Sequence, residues 1–143
     1  MNLNELYQEI ILEHYKHPHN KGNLQQPDAS AEGRNPMCGD EIKVSIEIDG
    51  NIIKDIRFDG SGCAISQASA SVMTDSVKGM TLDQAREVMQ AFSHMIKGGE
   101  LISKIDHESE LAAFQGVAAY PTRIKCAMLA WNALKKSLEQ FET

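Results

Sequence analysis

Three cysteines, Cys38, Cys63 and Cys126, are the residues of this 143-residue chain with the most chemistry to offer. An odd number, with no secretory leader visible at the N-terminus, argues against a disulfide framework. Three unrelated buried thiols would be the plain reading, so the surroundings of each matter. Cys38 lies in Asn35-Pro36-Met37-Cys38-Gly39-Asp40. If that segment is extended, Cys38 and Asp40 project to one side, and a thiolate and a carboxylate can chelate one metal. A tight turn whose Asp40 bonds to nearby backbone N–H groups is the competing reading. Cys63 lies in Gly60-Ser61-Gly62-Cys63-Ala64-Ile65-Ser66, where a strand gives way to a helix whose positive end favours an anion. No Gly-Lys-Ser follows the Gly-x-Gly, so a nucleotide-phosphate loop is excluded. Cys126 follows Arg123-Ile124-Lys125 in the first turns of the last helix, again beside cations and a helix start.

Three soft thiolates and one further ligand suit tetrahedral zinc, or iron with sulfide. No Cys-x-x-Cys pair is present, so spacing alone does not establish a metal site. The five histidines are possible fourth ligands, but His14, His17 and His19 gather near the end of the first helix and read rather as cations complementing its dipole. His94 and His107 read as surface residues. Ser66, Ser69 and Ser71 read as small packing residues rather than nucleophiles.

These side chains need elements to hold them. Leu3 to Lys16 has helical periodicity, with Leu3, Leu6, Ile10 and His14 near one face. Ile42, Val44, Ile46 and Ile48 alternate with polar residues as a strand, and Asp49-Gly50-Asn51 marks a hairpin. Ile52, Ile56 and Phe58 continue as the second strand's buried face, with Ile53, Asp55 and Arg57 opposite. A third short strand is expected before Cys38. Ala64 to Lys78 is an Ala- and Ser-rich helix with Gly79 beyond its end. Thr81-Leu82-Asp83-Gln84 is a capping box opening a helix to about Lys97. Asp106 to Gln115 reads as a short helix, and the last helix starts with Thr122 as N-cap. Strands early and helices late give an α+β class: a small antiparallel three-stranded sheet packed against several helices.

Composition narrows the function classes. Lys and Arg number 14 against 20 Asp and Glu, a net charge of −6, which suits neither nucleic acid nor an anionic membrane surface. No apolar run reaches the roughly 18 residues of a membrane span, and no signal peptide is visible, so a cytoplasmic protein is expected.

The three cysteine segments, Asn35-Pro36-x-Cys38-Gly39-Asp40, Gly60-x-Gly62-Cys63-Ala64-Ile65-Ser66 and Arg123-x-Lys125-Cys126-Ala127-x-Leu129-x-Trp131, resemble the iron–sulfur cluster assembly proteins of the IscU and NifU N-terminal superfamily. The run His14-Tyr15-Lys16-His17-Pro18-x-Asn20 resembles them too. The similarity spans the chain, implying a single domain over 1–143. Within the superfamily it is most similar to the SufU type. Lys125 stands where IscU proteins carry His, and Ala119-Tyr120-Pro121-Thr122-Arg123-Ile124-Lys125 replaces their chaperone-binding Leu-Pro-Pro-Val-Lys. The stretch between Cys63 and Cys126 is also longer. These departures argue against an Hsp70-type chaperone partner.

The resemblance implies a zinc site of Cys38, Asp40, Cys63 and Cys126. It implies a SufS-type cysteine desulfurase as partner, with Cys38 accepting persulfide sulfur and a downstream cluster scaffold complex receiving it. Arg123 and Lys125 would then offset the negative charge of the ligands. The alternative is a scaffold that itself binds and transfers a transient two-iron two-sulfur cluster, and a purely structural zinc domain comes third.

Overall fold

The computed structural model describes residues 3–37, 39–100, 105 and 109–141. Its elements are α1 (Leu3–Lys16), β1 (Ala29–Asn35), β2 (Asp40–Asp49), β3 (Ile52–Ser61), α2 (Ala64–Val77), α3 (Leu82–Ile96), a 3-10 helix (Glu110–Ala119) and α4 (Pro121–Glu139). The three strands form an antiparallel sheet in the order β1-β2-β3. The class expected from the sequence is the one observed. The short strand expected before Cys38 is β1, with Asn35 opposite Asp40.

Gly50-Asn51 forms the two-residue loop between β2 and β3, with Gly50 at φ +63. The alternation expected for β3 is interrupted. Ile46 pairs with Ile56 and Glu47 with Asp55, but Ile48 pairs with Ile53, so β3 carries one extra residue. That bulge shifts Ile53 onto the buried face with Ile56 and Phe58, and Ile52 is only partly covered. Strict alternation had assigned the two isoleucines the other way round.

Helices pack on the sheet's apolar face. α2 is buried from Ser66 to Thr74, and its small side chains let α1 and α4 close in on either side. Trp131 on α4 stacks on Phe92 of α3 with centroids 4.5 Å apart, and Phe114 meets Phe92 edge-on. The indole N–H donates to Ser69 Oγ at 3.1 Å, and Ser69 Oγ donates to Ala127 O at 2.6 Å, tying α2 to α4. The serines expected to be packing residues are buried ones that also carry these bonds.

The capping box on α3 forms as expected: Thr81 Oγ1 accepts from Gln84 N, and Gln84 Oε1 accepts from Thr81 N. The start of α4 differs. Pro121 is its first helical residue and Tyr120 the N-cap, so Thr122 is not the cap. Proline's fixed φ suits that position and its missing N–H costs nothing there. The helix expected over 106–115 is a 3-10 helix from Glu110, capped by Ser109 Oγ; residues 106–108 lie outside those described. On α1, Tyr7 and His14 are buried, while the side chains of Leu3 and Leu6 lie outside those described.

Candidate metal centre

The site is assembled at one end of the sheet. Residues 36–39 connect Asn35 of β1 to its cross-strand partner Asp40. Gly39, at φ +72, donates its N–H to Asn35 O at 2.9 Å. Asn35 Oδ1 accepts from Met37 N at 3.2 Å, a short-range Asx bond that shapes the approach to residue 38. Asp40 opens β2 and is 1% exposed.

β3 ends at Ser61, and Cys63 is the N-cap of α2, the strand-to-helix junction expected of it. Its backbone N–H donates to Asp40 Oδ1 at 2.8 Å, and its Sγ lies 3.7 Å from Asp40 Oδ2. A side chain at Gly62 would collide with the Asp40 carboxylate and the Ser66 hydroxyl, so only glycine lets the strand end press this closely on Asp40. Ser66 Oγ donates to Cys63 O at 3.0 Å and fixes the first turn.

Cys126 comes from α4, which packs on β1 and β2. It sits in the second turn of α4 and is fully buried. Its Sγ lies 3.7 Å from Thr122 O, and Asn35 Nδ2 donates toward it at 3.9 Å. Gly33 makes this possible: a Cβ there would stand 3.0–3.1 Å from Leu129, so α4 lies directly against β1. Ligand atoms of Asp40, Cys63 and Cys126 all lie within 4.8 Å of one another. Cys38 lies outside the described residues. Asp40 does take a backbone N–H, that of Cys63.

Arg123 and Lys125 are both exposed at the start of α4, and Lys125 lines a groove beside the centre. Cys63 is half-buried, whereas Cys126 is buried. Asn35 was missed as a site residue, because its partner Cys126 is distant in sequence and no local pattern announces the contact.

The histidines form a separate group. His14 is buried rather than a solvated helix-end cation, with Nδ1 2.7 Å from Ser71 Oγ and Nε2 2.8 Å from Glu110 Oε2. His19 pairs with Asp75 and donates its backbone N–H to Ser71 Oγ. His14, His19 and Asp75 are close enough to share an ion. Both ring nitrogens of His14 are already bonded, so the group reads as a clamp from the end of α1 to α2. His94 is exposed, as expected, and His107 lies outside the described residues.

A small antiparallel sheet backed by helices, with a carboxylate and two thiols converging at one end, makes this an α+β protein with a candidate metal-binding group. The family model for the NifU-like N-terminal domain matches residues 6–143, and the chain belongs to that family, one of iron–sulfur cluster assembly proteins. It is 43% identical over 141 residues to the zinc-dependent sulfurtransferase SufU of Bacillus subtilis, covering 99% of this chain and 95% of that one. It is also 43% identical over 139 residues to the iron–sulfur cluster assembly scaffold protein IscU of Streptococcus pyogenes, covering 96% and 86%. The crystal structure of an N-terminal NifU-like protein from Brucella abortus superimposes with a TM-score of 0.85 at 27% identity, covering 96% of this chain and 95% of that one.

The donor set fits a soft divalent metal. Asp40 is buried, takes one backbone N–H, and has no cationic side chain within ion-pair distance among the described residues. A buried carboxylate beside two thiols, without a counter-cation, is stabilised by a bound dication. Two sulfurs and one oxygen leave a tetrahedral ion one further ligand to find, and residue 38 is two positions from Asp40.

Proposed function

We propose that this protein is a sulfur acceptor in iron–sulfur cluster assembly, holding zinc through Cys38, Asp40, Cys63 and Cys126 and working as one domain in the cytosol. The observation that carries the reading is the convergence of Asp40, Cys63 and Cys126, and Cys38 stands two residues before Asp40 in the sequence. Zinc bound there would supply charge neutralisation and keep the thiols deprotonated at neutral pH.

Cys38 is the acceptor in this reading, and its partner is a SufS-type cysteine desulfurase. The Cys38 thiolate attacks the terminal sulfur of the desulfurase persulfide. A new S–S bond forms on Cys38, the old one breaks, and the desulfurase cysteine leaves as a thiolate. The sulfur then passes by the same exchange to a thiol of a downstream cluster scaffold complex. Asp40, which has no thiol to exchange, stays in place throughout. Pro36, Met37 and Gly39, its described neighbours in the chain, are exposed, which suits a residue that must reach another protein's active site. Arg123 and Lys125 offset the excess negative charge of four anionic ligands around a dication.

The test is desulfurase turnover with added wild-type or Cys38→Ser protein, with mass spectrometry of trapped thiols. Wild-type protein should raise turnover and carry one extra sulfur on Cys38, and Cys38→Ser should do neither. Undiminished stimulation by Cys38→Ser overturns the transfer reading.

The equal identity to a relative named as a scaffold supports a second reading, in which the same four residues hold a transient two-iron two-sulfur cluster. Anaerobically purified protein that is colourless with about one zinc per chain favours the first reading. Brown protein with stoichiometric iron and sulfide favours the second.

A further inference from the structure

Beside the candidate centre, a groove of about 830 Å³ runs between α3 and α4 and reaches the β1–β2 connection. α3 faces it with Arg86, Met89, Ser93 and Lys97, and α4 with Ile124, Met128, Asn132 and Lys135; the three- and four-residue spacings place each set on one helical face. Its apolar lining includes Met37, Met89, Ile124, Met128, Leu129 and Leu138. Methionine reshapes readily around a guest, which suits a docking surface better than a rigid core. Arg34, Arg86, Lys97, Lys125 and Lys135 line it as well, and no Asp or Glu does among the described residues. In a chain of net charge −6, that is a local reversal of sign.

Arg34 is paired with Glu41 and Arg86 with Asp83. Lys97, Lys125 and Lys135 make no ion pair among the described residues, so their charge is available to a guest. Met37, 86% exposed and adjacent to residue 38, stands at the end nearest the centre. Among the described residues no aromatic side chain lines the groove to stack a base, which disfavours nucleic acid.

We propose that this groove docks an acidic amphipathic helix of a partner protein. Its apolar stripe would lie on Met89, Ile124 and Met128 and its carboxylates on the three lysines, with Pro36 and Met37 at one end. Grooves between two helices commonly take a third helix in this way. The surface is built from different residues than the candidate ligands, so it stands whether the centre holds zinc or a cluster.

The probe is a fluorescein-labelled amphipathic helix of about 18 residues, with Leu along one stripe and Glu elsewhere, compared with the same peptide carrying Gln for Glu. Anisotropy titration of the full chain should show saturable binding of the Glu peptide, weakened by salt, with the Gln peptide at least about tenfold weaker. Lys97→Glu with Lys135→Glu should lose about tenfold in affinity with melting temperature and metal content unchanged. Should that double variant fold poorly, Lys97→Gln with Lys135→Gln provides the same test with less repulsion. Equal binding of the two peptides, or wild-type affinity in a folded double variant, overturns the proposal. So does a wild-type dimer in sedimentation that either double variant dissociates, since a second copy would then be the occupant.

Discussion

Asp40 holds the oxygen end of the candidate centre and also ties two elements together, because its carboxylate takes the N–H of the α2 N-cap. The two roles predict a compound effect. Asp40→Ala should lose tight zinc binding and also destabilise the protein by about 1–3 kcal/mol, since Cys63 N–H is left without its partner. Metal analysis and a melting curve on metal-free protein separate the two, and an unchanged melting point would show that the 2.8 Å bond contributes nothing. Asn35 acts one step further out. Its amide reaches Cys126 Sγ and its carbonyl holds Met37 N, so Asn35→Ala should weaken zinc binding by about tenfold or more without removing a ligand. Competition against a chelator reads this directly, and wild-type affinity would reduce Asn35 to a turn residue.

At the level of elements, the site depends on how closely α4 lies on β1. Gly33→Ala places a methyl group 3.0 Å from Leu129 Cδ1 and 3.1 Å from Leu129 O. A backbone oxygen cannot rotate aside, so α4 must shift, at a cost of about 1–3 kcal/mol. Because α4 carries Cys126, zinc affinity should fall along with the melting temperature. Thr81→Ala is the contrasting case. It removes the α3 capping box, away from the centre, and should cost about 1 kcal/mol while zinc affinity stays at the wild-type value. If both variants lowered stability and left zinc untouched, the coupling between α4 packing and the centre would be refuted.

For the whole molecule, the candidate centre joins the start of β2, the start of α2 and the start of α4, three places far apart along the chain. A bound ion there acts as a cross-link that only the folded state can make, so chelation should lower the melting temperature by several degrees or more. Cys63→Ala and Cys126→Ala should each melt near the chelated wild-type value, and adding a chelator to either should change little. A chelator shift in Cys126→Ala as large as in the wild type would exclude Cys126 as a ligand. The charge distribution also belongs to this scale: an acidic chain keeps one lysine-edged groove beside its proposed reactive turn. No helix among the described residues is long and apolar enough to cross a membrane.

Sequence alone determined what local rules control. The α+β class, the hairpin at Gly50-Asn51, the Thr81 capping box and the position of Cys63 at a strand-to-helix junction all follow from residues within a few positions of one another. The cysteine segments likewise carried the family resemblance, because short motifs survive without their surroundings. Tertiary structure decided the rest. A bulge in β3 placed Ile53 rather than Ile52 on the buried face, and proline geometry moved the N-cap of α4 from Thr122 to Tyr120. His14 became a buried clamp because Ser71 and Glu110, far along the chain, meet both its ring nitrogens. Asn35 meets Cys126 only because Gly33 admits α4 against β1, and the lysine-edged groove exists only where α3 and α4 lie side by side. Each of these depends on contacts between distant segments, which pattern and propensity do not encode.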